Sequence, residues 1–347
     1  MSSLPRARSA SLDPRGHRRQ QRRALAAVAL VSTLFLSACS SDAAPSDEPD
    51  GTWTYQSDFG PVEIPENLER IVSVDFYTPA ALMDLGVTPV GVVNTYLTDT
   101  EGAAIPGQYT EAVAEQGIGS IGEYYELNLE AIVAADPDLI IATDDFLPIE
   151  DPMREKLEQV APILTFTARD GDSWRTRATE LAVILDKEDE LQPLVEEYEA
   201  RRDAIKDEYA DILDSYAVTV LAPEPDEWGT YADTHFSTPI LRDLGATFRE
   251  QEDDEVNENG FPSWFSYERL DRLSNADVVF VLPKVDTDVM ARLESNGIWT
   301  SLPAVQDGLV FEYIPLSPTG SYGWATENLD DLEALLGEVQ AAIDANA

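Results

Sequence analysis

The phrase Thr-Pro-Ala-Ala-Leu-Met-Asp-Leu-Gly at residues 78–86 returns, one residue shorter, as Thr-Pro-Ile-Leu-Arg-Asp-Leu-Gly at 238–245. A Thr-Pro opening and a Gly close are ordinary helix punctuation, so the match alone constrains little. The residues downstream of each copy constrain more. "LNLEAIVAADPDLIIAT" (127–143) and "FSYERLDRLSNADVVFVLP" (265–283) both place a Glu, then Ile or Leu two residues on, then an Asp opening an apolar strand. Glu130 precedes Asp138 by eight residues and Glu268 precedes Asp277 by nine. A helix phrase succeeded in each half by the same helix–strand phrase limits the chain to two lobes on one plan. The cleft between such lobes is the natural place for a ligand.

The intervening sequence agrees. "TWTYQSDFGPVEIP" has short β-prone runs around a Phe-Gly-Pro turn and predicts a hairpin. Strand-type runs ("RIVSV", "VTPVGVV", "PDLIIAT", "PILTFT") then alternate with helical ones ("TPAALMDLG", "NLEAIVAA", "MREKLEQVA", "SWRTRATELAVILD"), which predicts a parallel α/β lobe. Residues 188–213 differ: Leu191, Leu194, Val195, Tyr198, Ile205, Tyr209 and Ile212 form one apolar stripe on a charged helix. Such a helix spans roughly 35–40 Å, and the α/β pattern restarts after it with "YAVTVLAP", so it is expected to join the lobes.

The N-terminus stands apart. Residues 1–23 hold seven Arg against one acid, Asp13, and precede "ALAAVALVSTLFLSA" and Cys39. Fifteen apolar residues suit an export signal better than a membrane span. Leu36-Ser37-Ala38-Cys39 resembles the bacterial lipobox, which implies cleavage before Cys39 and lipidation of it. The next segment, "SSDAAPSDEPDG", has the composition of a tether. The expected organisation is a signal at 1–38, a tether at 39–51, a first lobe at 52–187, a connecting helix at 188–213 and a second lobe at 214–347. It places a tethered body on the outer face of the cytoplasmic membrane.

Composition excludes several activities. Beyond the signal there are 16 basic and 65 acidic residues, a net charge of about −49, which disfavours nucleic acid or an anionic membrane as partner. Cys39 is the single Cys, so the body has no disulfide, thiolate metal site or Cys nucleophile. His235 is the sole His beyond the signal, which excludes a multi-His metal pocket. "GDSW" at 171–174 is similar to the opening of some secreted esterases, with Ser173 as nucleophile, but no His follows position 235 to serve it. "EVNENGF" at 255–261 starts like a calcium loop but has Ser266 where the twelfth-position Glu belongs. No enzyme and no cofactor is expected.

In order along the chain, "RIVSVDFYTPAALMDLGVTPVGV", "IGEYYELNLEAIVAADPDLIIA", "LEQVAPIL", "TPILRDLGA", "FSYERLDRLSNADVVFV" and "LPAVQDGLVFEY" resemble the substrate-binding lipoproteins of ABC importers for ferric siderophores, vitamin B12 and haem. The resemblance runs from about residue 52 to the C-terminus. It implies two α/β lobes bridged by one long helix, small opening motions, and a monomer that delivers its ligand to a permease dimer with a cytoplasmic ATPase. In this family an acidic residue on each lobe docks onto permease Arg residues. The matching positions are Glu130 and Glu268.

Ligands of α/β lobes sit beyond the carboxyl ends of the strands. The loops there carry Tyr77, Tyr96, Tyr124, Tyr125, Trp174, Trp228, Tyr231, Trp264, Tyr322 and Trp324, with Phe76, Phe146, Phe236 and Phe265 among them. As a set they suit a bulky chelate with an apolar skin. The cations there are Arg169, Arg249 and Lys284, among many acids. An anionic catecholate or citrate chelate calls for several Arg or Lys, so a neutral or cationic ferric hydroxamate fits better. The iron is carried within the chelate, with no direct protein ligand. Cobalamin or haem is the alternative, the latter through a Tyr–His pair using His235; an esterase-like hydrolase is a remote one.

Overall fold

The computed structural model describes residues 51–97, 105–123, 126–167, 173–235, 237–252, 255, 262–282, 287–314 and 321–347. The body opens with an antiparallel hairpin, β1 (Thr52–Ser57) and β2 (Gly60–Pro65). The first lobe then begins with β3 (Ile71–Ser73), α1 (Thr78–Asp84), β4 (Gly91–Val92), α2 (Gly107–Gln116) and β5 (Gly119–Ser120). It continues through the small hairpin β6 (Gly122–Glu123) and β7 (Glu126–Leu127), then α3 (Leu129–Ala135), β8 (Leu139–Thr143), α4 (Pro152–Leu157), β9 (Ile163–Phe166) and α5 (Ser173–Leu185).

Its sheet is wholly parallel, in the order β5-β4-β3-β8-β9. All five residues of β8, Leu-Ile-Ile-Ala-Thr, are buried, as a parallel strand covered on both faces requires. Strand order reverses between β3 and β8. The crevice beyond their carboxyl ends is where such sheets bind ligands.

Two helices, α6 (Glu188–Glu208) and α7 (Ala210–Ser215), lead to the second lobe. The helix expected over 188–213 breaks at Tyr209, whose φ of −105° and ψ of 19° are not helical. The second lobe holds β10 (Val218–Pro223), β11 (Glu227–Tyr231), α8 (Pro239–Asp243), β12 (Phe265–Ser266) and a 3-10 segment at Tyr267–Asn275. It ends with β13 (Val278–Val281), α9 (Thr287–Glu294), α10 (Pro303–Gln306), β14 (Val310–Glu312) and α11 (Tyr322–Asn346). Its sheet runs β12-β11-β10-β13-β14, with β11 antiparallel to both β10 and β12 and the β10–β13 and β13–β14 pairs parallel. The reversal here lies between β10 and β13.

The duplication is visible in the details. Gly86 and Gly245 stop α1 and α8 at φ of +71° and +83°, a conformation that costs a side chain dearly. Asp138, just before β8, accepts the Glu69 and Arg70 N–H groups at 2.6 and 2.9 Å. Asp277, just before β13, accepts the Ala217 N–H at 2.8 Å. Each Asp thus ties the start of its own strand to the start of the neighbouring one.

One apolar core runs through both sheets. It joins Leu139, Ile141 and Leu164 to Val218, Val220, Val278 and Phe280 by way of α6 and α11. Leu191, Tyr198 and Ile205, seven apart on α6, face Leu329, Leu332, Leu336 and Val339 of α11 in that core. Arg201 of α6 adds ion pairs to Asp330 (2.8 Å) and Glu333 (2.5 Å) of α11. The lobes are therefore joined by the long helix expected from sequence, with the C-terminal helix laid along it.

Candidate functional site

The first-lobe switch point is built by the segments after β3 and β8 and by the start of α5. Asp75 lies just beyond β3 and is fully buried. Its carboxylate accepts the Tyr77 and Thr78 N–H groups, each at 2.7 Å, and the Thr78 hydroxyl at 2.9 Å, which caps α1. Burial pushes its pKa up to about 6, against the pull of Arg177 and of these hydrogen bonds. Arg177, 2% exposed, reaches in from α5. It donates to the Thr167 carbonyl at 3.0 Å and lies 5.4 Å from the Tyr77 ring centre. Burial lowers its pKa while Asp75, Tyr77 and Asp145 favour its charge, and a guanidinium stays protonated under such conditions.

The Tyr77 hydroxyl donates to Asp145 at 3.3 Å, and the Tyr77 ring meets Phe146 edge-on at 5.4 Å. Burial raises the Asp145 pKa, countered by Thr143 and Arg177. Tyr77 and Phe146, themselves buried, thus pack with one cation and two carboxyl groups at the switch point. Arg177 escapes a reading of the strand-end loops because it sits one turn inside an amphipathic helix.

An open pocket of about 750 Å³ lies at the carboxyl ends of β4 and β5. Glu123, Glu126 and Glu130 line it with Asn94, Asn128, Met153 and Lys156. Its size is that of a small-molecule site. Three carboxylates against one ammonium, among the described residues, make it attractive to neutral or cationic ligands.

The other expected residues fall in several places. Tyr96 (1% exposed), Trp228 (0%) and Trp324 (1%) lie in the core and present no surface to a ligand. The Tyr96 hydroxyl donates to the Phe76 carbonyl at 3.0 Å, and the Trp228 indole donates to the Ser266 carbonyl at 3.1 Å. Trp174 and Tyr322 pack on each other at 4.8 Å and on Tyr198 of α6 at 5.7 Å, filling the seam between the lobes. Tyr231 stacks flat on His235, centroids 4.1 Å apart. His235 is buried, accepts the Ser237 N–H at 3.1 Å, and has its pKa pushed down to about 4 by burial, which keeps it neutral near pH 7.

Arg249, expected beside the ligand, is enclosed near the amino end of β10 instead. It donates to Thr219 and Thr230 at 3.1 and 3.2 Å and pairs with buried Glu255. Trp264 is exposed, at 42%. Glu130, in the first turn of α3 behind the Asn128 cap, and Glu268, at the start of the 3-10 segment, are both exposed. Cys39, Tyr124, Tyr125, Arg169, Phe236 and Lys284 lie outside the described residues. Among the described residues, no cluster of His, Cys, Asp or Glu is arranged to hold a metal ion, and no helix is long and apolar enough to cross a membrane.

Two α/β lobes joined by long helices, with an aromatic cluster at the first-lobe switch point, suit a solute-binding protein. The family model described as "Periplasmic binding protein" matches residues 73–315, and the chain belongs to that family. The Bacillus subtilis protein YfiY, named a probable siderophore-binding lipoprotein, is 26% identical over 88% of this chain and 95% of its own. YfmC of the same organism, named an Fe(3+)-citrate-binding protein, is 24% identical over 83% and 88%. Among solved structures, the siderophore periplasmic binding protein from the fuscachelin gene cluster of Thermobifida fusca is 27% identical, with a TM-score of 0.60 over 78% of this chain and 97% of that one. Staphylococcus aureus SirA complexed with staphyloferrin B shares the fold at a TM-score of 0.66 and 24% identity, over 82% and 99%.

Proposed function

We propose that this protein captures a ferric siderophore outside the cytoplasmic membrane, held there by lipid on Cys39, and delivers it to an ABC permease that docks on Glu130 and Glu268. Relatives named for iron or siderophore binding that align over most of both chains support the solute class. The observation that carries the ligand type is the charge balance of the first-lobe crevice. Its buried cation, Arg177, is already attracted to Asp75 and Asp145, and the open pocket at the ends of β4 and β5 holds three Glu against Lys156. A polyanionic catecholate or citrate chelate finds no unspent guanidinium there among the described residues. A neutral or cationic ferric hydroxamate meets aromatic rings, amide groups and carboxylates.

The reading is tested by titrating the protein with a ferric trihydroxamate and, separately, a ferric triscatecholate, following Trp fluorescence and heat. Saturable binding of the hydroxamate, with the catecholate weaker by tenfold or more, corresponding to about 1.4 kcal/mol, is the expected result. Preference for the catecholate would overturn the charge argument. Binding of neither would overturn the siderophore assignment.

A further inference from the structure

The Asp of the duplicated phrase has a second duty. Asp84 closes α1 and Asp243 closes α8 at the same place in the two copies, ahead of Leu-Gly. Both carboxylates hold groups brought from elsewhere in the chain to the junction of the lobes.

Asp84 accepts the Ser321 hydroxyl at 2.7 Å, the Gly323 N–H at 3.0 Å and the Tyr109 hydroxyl at 2.8 Å. Ser321 is the N-cap and Gly323 lies in the first turn of α11, a helix that follows the second lobe in the chain and packs its Trp324 into the first-lobe core; Ser321 itself caps the Trp324 N–H at 2.9 Å. A carboxylate at the amino end of a 25-residue helix is also favoured by the helix dipole. The approach is tight: a Cβ on Gly323 would lie 2.6 Å from the Tyr109 hydroxyl and 2.7 Å from Asp84 Oδ1.

Asp243 belongs to the second lobe. It pairs with Arg175 at the start of first-lobe α5 and accepts the Tyr198 hydroxyl of α6 at 2.5 Å. The Arg175 guanidinium lies 4.2 Å from the Trp174 ring, so the same contact fixes the aromatic packing that fills the seam. The two carboxylates act in opposite directions, one reaching from the first lobe and one from the second.

We propose that Asp84 and Asp243 are a matched pair of clasps that set the angle between the lobes, and so the width of the crevice, before any ligand arrives. Helix packing of α6 on α11 opposes separation of the lobes. Its apolar contacts oppose rotation about the helix axes less well, because they are not directional, and the Arg201 pairs to Asp330 and Glu333 that add direction there are partly exposed. Two charge-assisted, multiply bonded contacts at different points on the seam supply that direction. The role belongs to positioning residues, and it does not depend on which solute is bound.

The test uses the full chain in detergent, unliganded, with Cys39→Ser and spin labels on Glu115→Cys in the first lobe and Glu294→Cys in the second, both exposed positions. The parent should give one narrow distance distribution. Asp84→Asn and Asp243→Asn should each raise a second, broader population by about tenfold or more, the effect of losing charge-assisted hydrogen bonds. Arg175→Asp should do the same, and adding Asp243→Arg to it should restore the narrow distribution. A residue that serves stability alone would lower the melting temperature and leave the distances untouched. Superimposable distributions for the folded Asn variants, or no rescue by the exchanged pair, would overturn the proposal. Tyr198→Phe and Gly323→Ala, milder changes at the two clasps, give the same reading if an Asn variant fails to fold.

Discussion

Replacing Arg177 by Ala is expected to lower the unfolding free energy by about 2 kcal/mol near pH 7.5, the low end for depriving a buried carboxylate of a neighbouring cation. The guanidinium is 2% exposed and the Asp75 carboxylate fully enclosed, so the change strands a negative charge rather than merely deleting a contact. The value is at the low end because Asp75 keeps three hydrogen bonds from Tyr77 and Thr78.

The pH dependence distinguishes a stranded charge from a plain cavity. Asp75 in the folded protein titrates at about 6, above the ordinary aspartate value of 3.8, so the folded state binds the proton more tightly. Its contribution to stability therefore falls as pH rises from about 4 to about 6 and is constant above that. Without Arg177 the folded pKa rises further, and the window of falling stability extends upward. The deficit of the variant should be largest above pH 7 and shrink on acidification toward pH 5, where Asp75 takes up a proton. Urea unfolding at the two pH values measures it. A deficit independent of pH would mean that Asp75 does not depend on Arg177.

Reversing both Glu130 and Glu268 to Arg should abolish iron uptake by cells that depend on this protein, and Glu268→Arg alone should leave ligand affinity unchanged within about twofold. Each side chain is exposed and each comes from a different lobe, so under the proposed docking they would fix orientation on a partner at two separated points. Surface charges of this kind contribute little to the stability of the body. Glu130 also lines the acidic cavity, which makes the affinity arm informative. Loss of uptake with intact affinity supports docking. Undiminished uptake would remove both residues from the permease interface, and a loss of affinity from Glu130→Arg alone would make it a ligand contact instead.

The repeated phrases make the two α/β lobes legible, because β3, α1, β8, β10, α8 and β13 are all specified by local pattern. Other elements are hidden by competing local signals. β11 lies in "PDEWGTYAD", whose Asp, Pro and Gly read as loop, yet pairing with β10 over Val220–Pro223 holds it in the sheet. The break at Tyr209 sits inside an apolar stripe that continues through Ile212, and periodicity alone does not register a single residue leaving helical geometry. The aromatic set shows the same limit. Tyr77 and Phe146 do sit at the switch point, but Tyr96, Trp228 and Trp324 turn inward to the core from neighbouring segments. Which way a ring points depends on tertiary packing, and sequence position carries no record of it. Arg177 is hidden for a related reason: its role comes from Asp75, about a hundred residues away in the chain.

Under the proposed function, a ferric hydroxamate seats at the carboxyl edge of the first-lobe sheet. Anomalous diffraction at the iron edge, from crystals grown with a ferric trihydroxamate, tests it most directly. An iron peak near Tyr77 and Phe146 or in the pocket lined by Asn94, Glu123 and Lys156 is the predicted result. A peak elsewhere, or none from crystals of protein saturated with the chelate, would contradict it.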